Sequence, residues 1–318
     1  MVRKVFLPMV DHLTKMPSRG YDTGRFFGPK GDLQMKTIDL HAHTTASDGS
    51  CTPTQLVELA ARKGLAAVAV TDHDTTAGLA EALAAGERLG VRVVPGLETS
   101  THVEDQDAHI VSLFIDPDHP AIREMIAWMA QSRQERNRQM VARLQEAGLP
   151  VTWEELLAFT GGDPAKVGRA HVGRLLMAKG LARTMGEAFQ NYLMRGRCGY
   201  VSRQTPSPAQ CIQATHRAGG LAFVAHIHQI CRRDPQRSLY LCRKTLADGP
   251  DGLETLYSEY DDFWRGQAEA LVREYGLLRS GGSDFHGTVK PGLELGTGYG
   301  DLAVPLAYLE AMDAARGR

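Results

Sequence analysis

Two histidines stand two residues apart at the end of an apolar run, in the segment IDLHAHTTASDG. Side chains two apart on a strand point to the same side, so His41 and His43 can share one site, and Asp48 reaches it from the following loop. Two imidazoles and a carboxylate can bind one metal ion. Because such a pair also occurs in ordinary surface or core strands, its interpretation depends on the rest of the chain.

Further histidines and carboxylates follow other apolar runs, in the segments TDHD, GLETS, AFVAHIH and SGGSDFHG, and His109 opens the apolar run HIVSLFI. Strand ends are where α/β folds place ligand sites. A carboxylate such as Glu98 would be costly to bury there without a cation or a metal ion. An alternative for TDHD is that Asp74 or Thr75 caps a helix. The candidate metal ligands are His41, His43, Asp48, His73, Glu98, His109, His226, Asp284 and His286.

Nine ligands are too many for one ion, so the sequence predicts two or three divalent metal ions. Imidazole and carboxylate without thiolate favour Mn, with Zn and Fe as alternatives, over a structural zinc site. The five cysteines show neither paired metal spacing nor the density of a disulfide scaffold, which favours a reducing cytoplasm.

The elements that must position these residues follow a βα pattern. Strand-like runs at 37–40, 66–71, 91–95 and 109–115 alternate with helical stretches, and the alternation resumes at 221–225, 252–256 and 278–281. This pattern is typical of a parallel sheet or barrel. Capping boxes at Thr52 with Gln55 and at Thr152 with Glu155 predict two helix starts.

Between about 120 and 200 the strand signal disappears, which predicts a helical insert within one α/β domain that spans 36–318. Residues 1–35 show no lasting period and are predicted to form an N-terminal extension, for which disorder is one interpretation. The 318 residues carry a net charge of -1, which excludes a broadly basic surface for stable duplex DNA binding. No apolar run approaches the length of a membrane span.

In order along the chain, HAHTTASDG, TDHDT, GLE, AHI, the histidine after AFVA, and GSDFH resemble the motifs of the PHP (polymerase and histidinol phosphatase) family, over about residues 36–300. The chain is most similar to the stand-alone bacterial TrpH or YciV type, which includes ribonuclease AM and a nucleoside 3′,5′-bisphosphate phosphatase. The resemblance implies a distorted seven-stranded (β/α) barrel, a three-metal centre and ligand roles for all nine residues. One departure is HIHQICRRD, where relatives usually carry Pro after the motif histidine, so His228 competes with His226 as the ligand.

The insert segments RQERNRQM and GRAH resemble segments that bind the substrate phosphate. This makes Arg133, Arg136 and Arg169 candidates to bind a phosphate, with His171 assisting, although a charged helix face is often merely solvated. A hydroxide between the metal ions is the expected nucleophile, and no general acid is indicated.

The implied function is hydrolysis of the 3′-phosphate of nucleoside 3′,5′-bisphosphates, or 5′ to 3′ removal of nucleotides from short, single-stranded, 5′-phosphorylated RNA. A phosphatase for histidinol phosphate is an alternative, because it shares the metal motifs. The other alternative is a non-catalytic PHP module associated with a polymerase.

Overall fold

A computed structural model describes residues 36–317 except 163, 165 and 166, and the extension predicted at 1–35 therefore lies outside the described residues. The strands are β1 Thr37–Asp39, β2 Ala67–Val70, β3 Arg92–Val103, β4 Gln106–Leu113, β5 Leu221–Val224, β6 Gly252–Tyr257, β7 Leu278–Gly282 and β8 Val304–Pro305. The helices are α1 Pro53–Arg62, α2 Leu79–Leu89, α3 Pro120–Glu146, α4 Trp153–Ala158, α5 Arg169–Ala178, α6 Met185–Ala188, α7 Pro208–Arg217, α8 Pro235–Leu246, α9 Asp262–Tyr275 and α10 Leu306–Arg316.

Each of the seven strand-like runs in the sequence forms a strand, and both capping boxes are present at the starts of α1 and α4. The pattern differs at β3 and β4, which form an antiparallel hairpin with no helix between them. The hairpin turns at Glu104 and Asp105, and Glu104 adopts a left-handed backbone with φ of 55°. A turn with positive φ matches the twist of the two strands and joins them directly.

The sheet has the strand order β7-β6-β5-β4-β3-β2-β1-β8. β1, β2 and β3 are parallel, β4 is antiparallel to both neighbours, and β5, β6 and β7 are parallel again. This is an α/β barrel, as predicted. It has eight strands where seven were expected, because the two-residue β8 pairs with the edge of β1 that is opposite β2.

The chain after β1 meets the chain after β7, and this contact nearly closes the barrel. Leu40 N donates to Gly281 O (3.1 Å), Asp284 N donates to His41 O (2.8 Å), and His43 N donates to Phe285 O (2.8 Å). A Cβ atom on Gly282 would lie 2.4 Å from both the N and the Cβ of His41, so this approach requires glycine. The closure places two segments with predicted metal ligands side by side.

Helix α3 connects the barrel to the helical region between β4 and β5. Its first turn packs Ile122 into a barrel core, while Met140 and Leu144 near its end belong to a separate core that includes Leu156 of α4 and Leu176 of α5. The middle of α3 therefore lies where the two cores meet, and it carries Arg133 and Arg136. None of the helices in the described ranges has the length and apolar character to cross a membrane.

Asp39 at the end of β1 is a buried carboxylate that holds the barrel closure together. It accepts hydrogen bonds from Ser283 N (2.9 Å), Ser283 Oγ (2.5 Å), Gly296 N (2.7 Å) and His41 N (3.2 Å). These donors come from both sides of the closure, so one side chain fixes the loops after β1 and β7.

Replacing Asp39 with alanine leaves these donors buried without their acceptor. Since each such group costs about 1–3 kcal/mol, we expect Asp39→Ala to lower the free energy of unfolding in urea by roughly 2–4 kcal/mol. The control is Asp248→Ala at an exposed position, which should change it by less than about 0.5 kcal/mol. Equal effects of the two substitutions would mean that other contacts hold the closure.

Candidate metal centre

The nine candidate ligands come from six different strands or the loops that follow them, and the structure brings all nine together. His41 and His43 follow β1, His73 follows β2, and Glu98 lies within β3. The histidine rings are in close contact, with ring centroids 4.1 Å apart for His43 and His286 and 4.5 Å apart for His43 and His73. The other candidates are Asp48 in the loop after β1, His109 of β4, His226 after β5, and Asp284 and His286 after β7.

The carboxylate of Glu98 lies at the middle of this cluster and is fully buried. Five imidazoles surround its two oxygen atoms, each at a distance of 3.2 Å or less. Oε2 lies 3.2 Å from His41 Nε2, 3.1 Å from His43 Nε2 and 3.0 Å from His73 Nδ1, and Oε1 lies 2.8 Å from His109 Nδ1 and 2.8 Å from His226 Nε2. This carboxylate and the imidazoles around it would together hold divalent metal ions.

Three overlapping groups of these residues could each hold one metal ion. They are His43, Asp48, His73 and His286; His41, His43, Glu98 and Asp284; and His73, Glu98 and His109. Several buried nitrogen and oxygen atoms in these groups have no hydrogen-bond partner among the described residues, including His41 Nε2, Glu98 Oε2 and Asp284 Oδ1. Buried polar atoms without partners are costly, and metal ions would satisfy them. The residues therefore fit a cluster of divalent ions bound by nitrogen and oxygen.

The protonation states of the cluster suit the binding of divalent metal ions. Burial raises the pKa of the Glu98 carboxyl, but the surrounding imidazoles, including the hydrogen bond from His109, outweigh it and hold that pKa well below its usual range. Burial lowers the pKa of His73 to about 3, which leaves a neutral imidazole. Burial also lowers the pKa of His43, but Asp284 and Glu98 raise it to about 9, so metal binding there must displace a proton.

Two further carboxylates orient the ligands. Glu254 of β6 is fully buried and accepts from His41 Nδ1 (2.7 Å) and from His226 N (2.6 Å). Sequence reasoning missed Glu254, although the letters GLET occur around both Glu98 and Glu254. Asp72 accepts from Thr44 N (2.7 Å), so it fixes the loop that carries Asp48. Hydrogen bonds of this kind hold metal ligands in one orientation.

Asp284 is oriented through one of its two oxygen atoms. Its Oδ2 accepts from Tyr257 OH (2.7 Å) and from Lys290 Nζ (2.6 Å), while Oδ1 lies 3.2 Å from His43 Nε2. Asp284 adopts φ of 57°, and His226 adopts φ of 23°. Such backbone geometry is strained for residues other than glycine and persists where surrounding contacts impose it.

His226 and His228, which compete as ligands in the sequence, lie in different surroundings. His226 Nε2 contacts Glu98, whereas His228 Nε2 lies 2.9 Å from Glu259 Oε2, with its ring near Tyr260. The geometry favours His226. The capping alternative for TDHD does not hold, because α2 begins at Leu79 with Gly78 as its N-cap.

The four predicted substrate-binding residues divide between two cavities beside the metal centre. Arg136 and Arg169 line a cavity of 490 Å³, the arginine cavity. Arg133 and His171 line a cavity of 820 Å³, the outer cavity, together with Asp48 and His73 of the metal centre. Ser100, His109 and Arg203 line both cavities.

Arg203 is a residue of this region that the sequence interpretation missed. Its Nη2 donates to Asp74 Oδ2 (2.8 Å), which also accepts from Arg133 Nη2 (2.9 Å). Arg203 precedes α7 in an irregular segment without a motif, so only the folded chain reveals its position. Asp74 therefore pairs with two arginines from distant parts of the sequence, and one positive charge remains unbalanced.

The arginine cavity is cationic, because four arginines line it against the two carboxylates of Asp105 and Asp107. The buried Nε atoms of Arg136, Arg169 and Arg203 have no hydrogen-bond partner among the described residues. Burial, followed by repulsion from Arg169 and Arg203, lowers the pKa of Arg136 to about 10. Arg136 is only 8% exposed, so it is not simply part of a solvated helix face. A buried guanidinium group beside two half-buried ones, all with free donors, is suited to binding a phosphate.

The chain is similar to known proteins in sequence and in fold. The model of the PHP domain matches residues 39–195. The chain is 38% identical to the 5′-3′ exoribonuclease Rnm of Salmonella typhimurium, over 81% of this chain and 87% of that protein. It is 36% identical to the 3′,5′-nucleoside bisphosphate phosphatase of Chromobacterium violaceum, over 82% of this chain and 91% of that protein. A metal-dependent phosphoesterase structure from Bifidobacterium adolescentis has a TM-score of 0.70 at 33% identity, covering 89% of this chain and 97% of that one.

Removing the charge of Glu98 tests whether this carboxylate holds metal. We expect Glu98→Gln to retain roughly half or less of the metal bound per chain, because the amide cannot balance the charge of the ions. Elemental analysis after dialysis measures this content. Glu87→Gln at an exposed position is the matched control. Undiminished metal in Glu98→Gln would exclude Glu98 as a ligand.

A second pair of variants distinguishes the two competing histidines. We expect His226→Gln to weaken metal binding by more than about tenfold, a loss that even the hydrogen-bond partners of metal ligands can cause. His228→Gln should bind metal as the unchanged protein does, because its side chain contacts Glu259. Titration of the metal-free variants with Mn²⁺ measures both affinities. The opposite ranking would make His228 the ligand.

Proposed function

The chain belongs to the PHP family and is a metal-dependent phosphoester hydrolase, and we propose that its substrates carry a second phosphate besides the one at the scissile bond. The proposed reactions are release of the 3′-phosphate from nucleoside 3′,5′-bisphosphates and removal of nucleotides, in the 5′ to 3′ direction, from short 5′-phosphorylated RNA. The observation that carries this proposal is the arginine cavity, which adjoins the metal centre through His109.

A substrate with two phosphates fits the pair of sites. One phosphate reaches the metal centre. The other is bound by Arg136 and Arg169, and Arg203 is a third residue that binds it. Binding at a group remote from the reaction positions the scissile bond and lowers the entropy cost of the reaction. A simple monophosphate offers nothing to these guanidinium groups.

The two relatives named above are a bisphosphate phosphatase and a 5′-3′ exoribonuclease. One site can serve both reactions, because both substrates have a phosphate on the 5′ side of a nucleoside and a phosphoester at its 3′ oxygen. Hydrolysis adds water across the bond between the phosphorus and the 3′ oxygen, which leaves with a proton.

In this mechanism the chain's side chains hold and orient the reacting groups. Glu98 and the surrounding imidazoles would hold two or three divalent ions, for which we propose Mn, with Zn and Fe as alternatives. When bound, the ions activate water and offset charge on the phosphoryl oxygens. Glu254 and Tyr257 keep His41 and Asp284 in position, and the arginines hold the second phosphate. The cytoplasm, where a thiol such as the exposed Cys198 stays reduced, is the proposed compartment.

The two alternative functions have less support. A phosphatase for histidinol phosphate would need no second phosphate site, whereas four arginines line the arginine cavity here. A non-catalytic module could lack some ligands, whereas all nine candidates are present and in contact. The arginine cavity therefore favours the nucleotide substrate.

Removing Arg136 should reduce activity on the nucleotide while sparing a substrate with one phosphate. We expect Arg136→Ala to lower kcat/KM for adenosine 3′,5′-bisphosphate by about 10- to 100-fold, as for loss of a hydrogen bond to a charged group. Activity on p-nitrophenyl phosphate, measured in the same preparation, should change by less than about twofold.

Arg123→Ala is the matched control on the same helix, at an exposed position. Histidinol phosphate is assayed with both variants. If it alone were hydrolysed by the unchanged protein, the nucleotide proposal would be wrong. Equal losses on all substrates in Arg136→Ala would mean that Arg136 supports the fold and not the second phosphate.

A further inference from the structure

The outer cavity, at 820 Å³, is larger than the arginine cavity, at 490 Å³. Asp48, His73 and His109 form its floor at the metal centre, and it extends to Ile126 and Ala130 on helix α3. Ile126 and Ala130 line the outer cavity but not the arginine cavity, so space beside the metal centre continues past the groups assigned to the second phosphate. This space is available to atoms that lie beyond the scissile phosphate.

The polar groups of the outer cavity suit the phosphodiester backbone of a nucleic acid. Arg133 uses Nη2 to bind Asp74, and its guanidinium group has further N–H donors. His171 Nδ1 accepts from Gly168 N (3.1 Å), so a neutral ring carries its proton on Nε2. Burial, followed by Arg174, lowers the pKa of His171, which keeps the ring neutral. The cavity therefore has two donors that the arginine cavity does not share.

We propose that the outer cavity binds the RNA chain on the 3′ side of the scissile phosphoester, with Arg133 and His171 as hydrogen-bond donors to its backbone. The apolar side chains of Ile126 and Ala130 pack against the ribose or base of the second nucleotide. This inference rests on the proposed function and adds a specificity-determining surface to it. The arginine cavity then recognises the 5′ phosphate. The outer cavity determines whether a substrate with further nucleotides on its 3′ side can bind.

The arrangement also accounts for repeated cleavage. Water adds to the phosphorus, the bond to the 3′ oxygen of the first nucleotide breaks, and that oxygen leaves with a proton. The products are a nucleoside 5′-phosphate and an RNA shortened by one residue, which keeps the phosphate as its new 5′ end. The arginine cavity can bind this new 5′ phosphate in the next cycle, because it is the same chemical group.

The test fills the outer cavity and compares two substrates. Ala130→Phe places a large side chain in the cavity, and Ala127→Phe places the same side chain at an exposed position on the same helix. We measure kcat and KM for adenosine 3′,5′-bisphosphate and for a 5′-phosphorylated RNA trinucleotide. In Ala130→Phe, kcat/KM for the trinucleotide should fall by about tenfold or more, and that for the bisphosphate should change by less than about twofold. Ala127→Phe should change neither.

A second variant tests the polar contacts without added bulk. His171→Ala should raise KM for the trinucleotide more than KM for the bisphosphate, and His171→Gln, which keeps an N–H donor, should restore part of the difference. Equal losses on both substrates, or no loss on the trinucleotide in Ala130→Phe, would overturn the proposal. If the unchanged protein hydrolysed neither substrate, the proposed function itself would fail, and this outcome is distinct from the other two.

Discussion

The buried carboxylate of Glu98 is the constraint on which the rest of the molecule depends. A fully buried charge surrounded by five imidazoles is stable only if positive charge accompanies it, either as protons on the rings or as metal ions. The ligands come from strands far apart in the sequence, so the barrel must bring their ends to within hydrogen-bond distance of one carboxylate. The strained backbone at Asp284 and His226 is the local cost of that convergence.

Several features of the fold follow from this convergence. The barrel has to close between the ends of β1 and β7, since His41 and Asp284 come from those two segments. Asp39 binds the backbone on both sides of the closure, and Gly282 allows the two segments to approach each other. Glu254 then fixes His41 from behind. The same residues thus stabilise the fold and orient the site, which is why the core next to the site is polar.

The helical region between β4 and β5 adds positively charged arginines beside the carboxylates of the metal centre. Helix α3 is anchored in a barrel core at one end and in the helical core at the other, and the arginines in its middle lie beside the metal centre. Asp74, which adjoins the metal-centre residue His73, accepts from Arg133 and Arg203 and so couples the two regions. Cations held near a metal centre would repel the metal ions unless carboxylates or substrate phosphates lie between them. The site is thus built to bind an anion at two points.

The sequence by itself determined the fold class, the strand-like runs and the nine residues that meet at the centre. It could do so because metal ligands are confined to a few residue types, and strand ends place them at one edge of a sheet. Only the tertiary structure placed His226 and not His228 against Glu98, joined β3 and β4 in a hairpin, and added Glu254 and Arg203 to the site. It also placed Arg133 and His171 in the outer cavity, and Arg136 and Arg169 in the arginine cavity. These features depend on how the helical region packs against the barrel, and helix periodicity specifies a face without specifying what that face will contact.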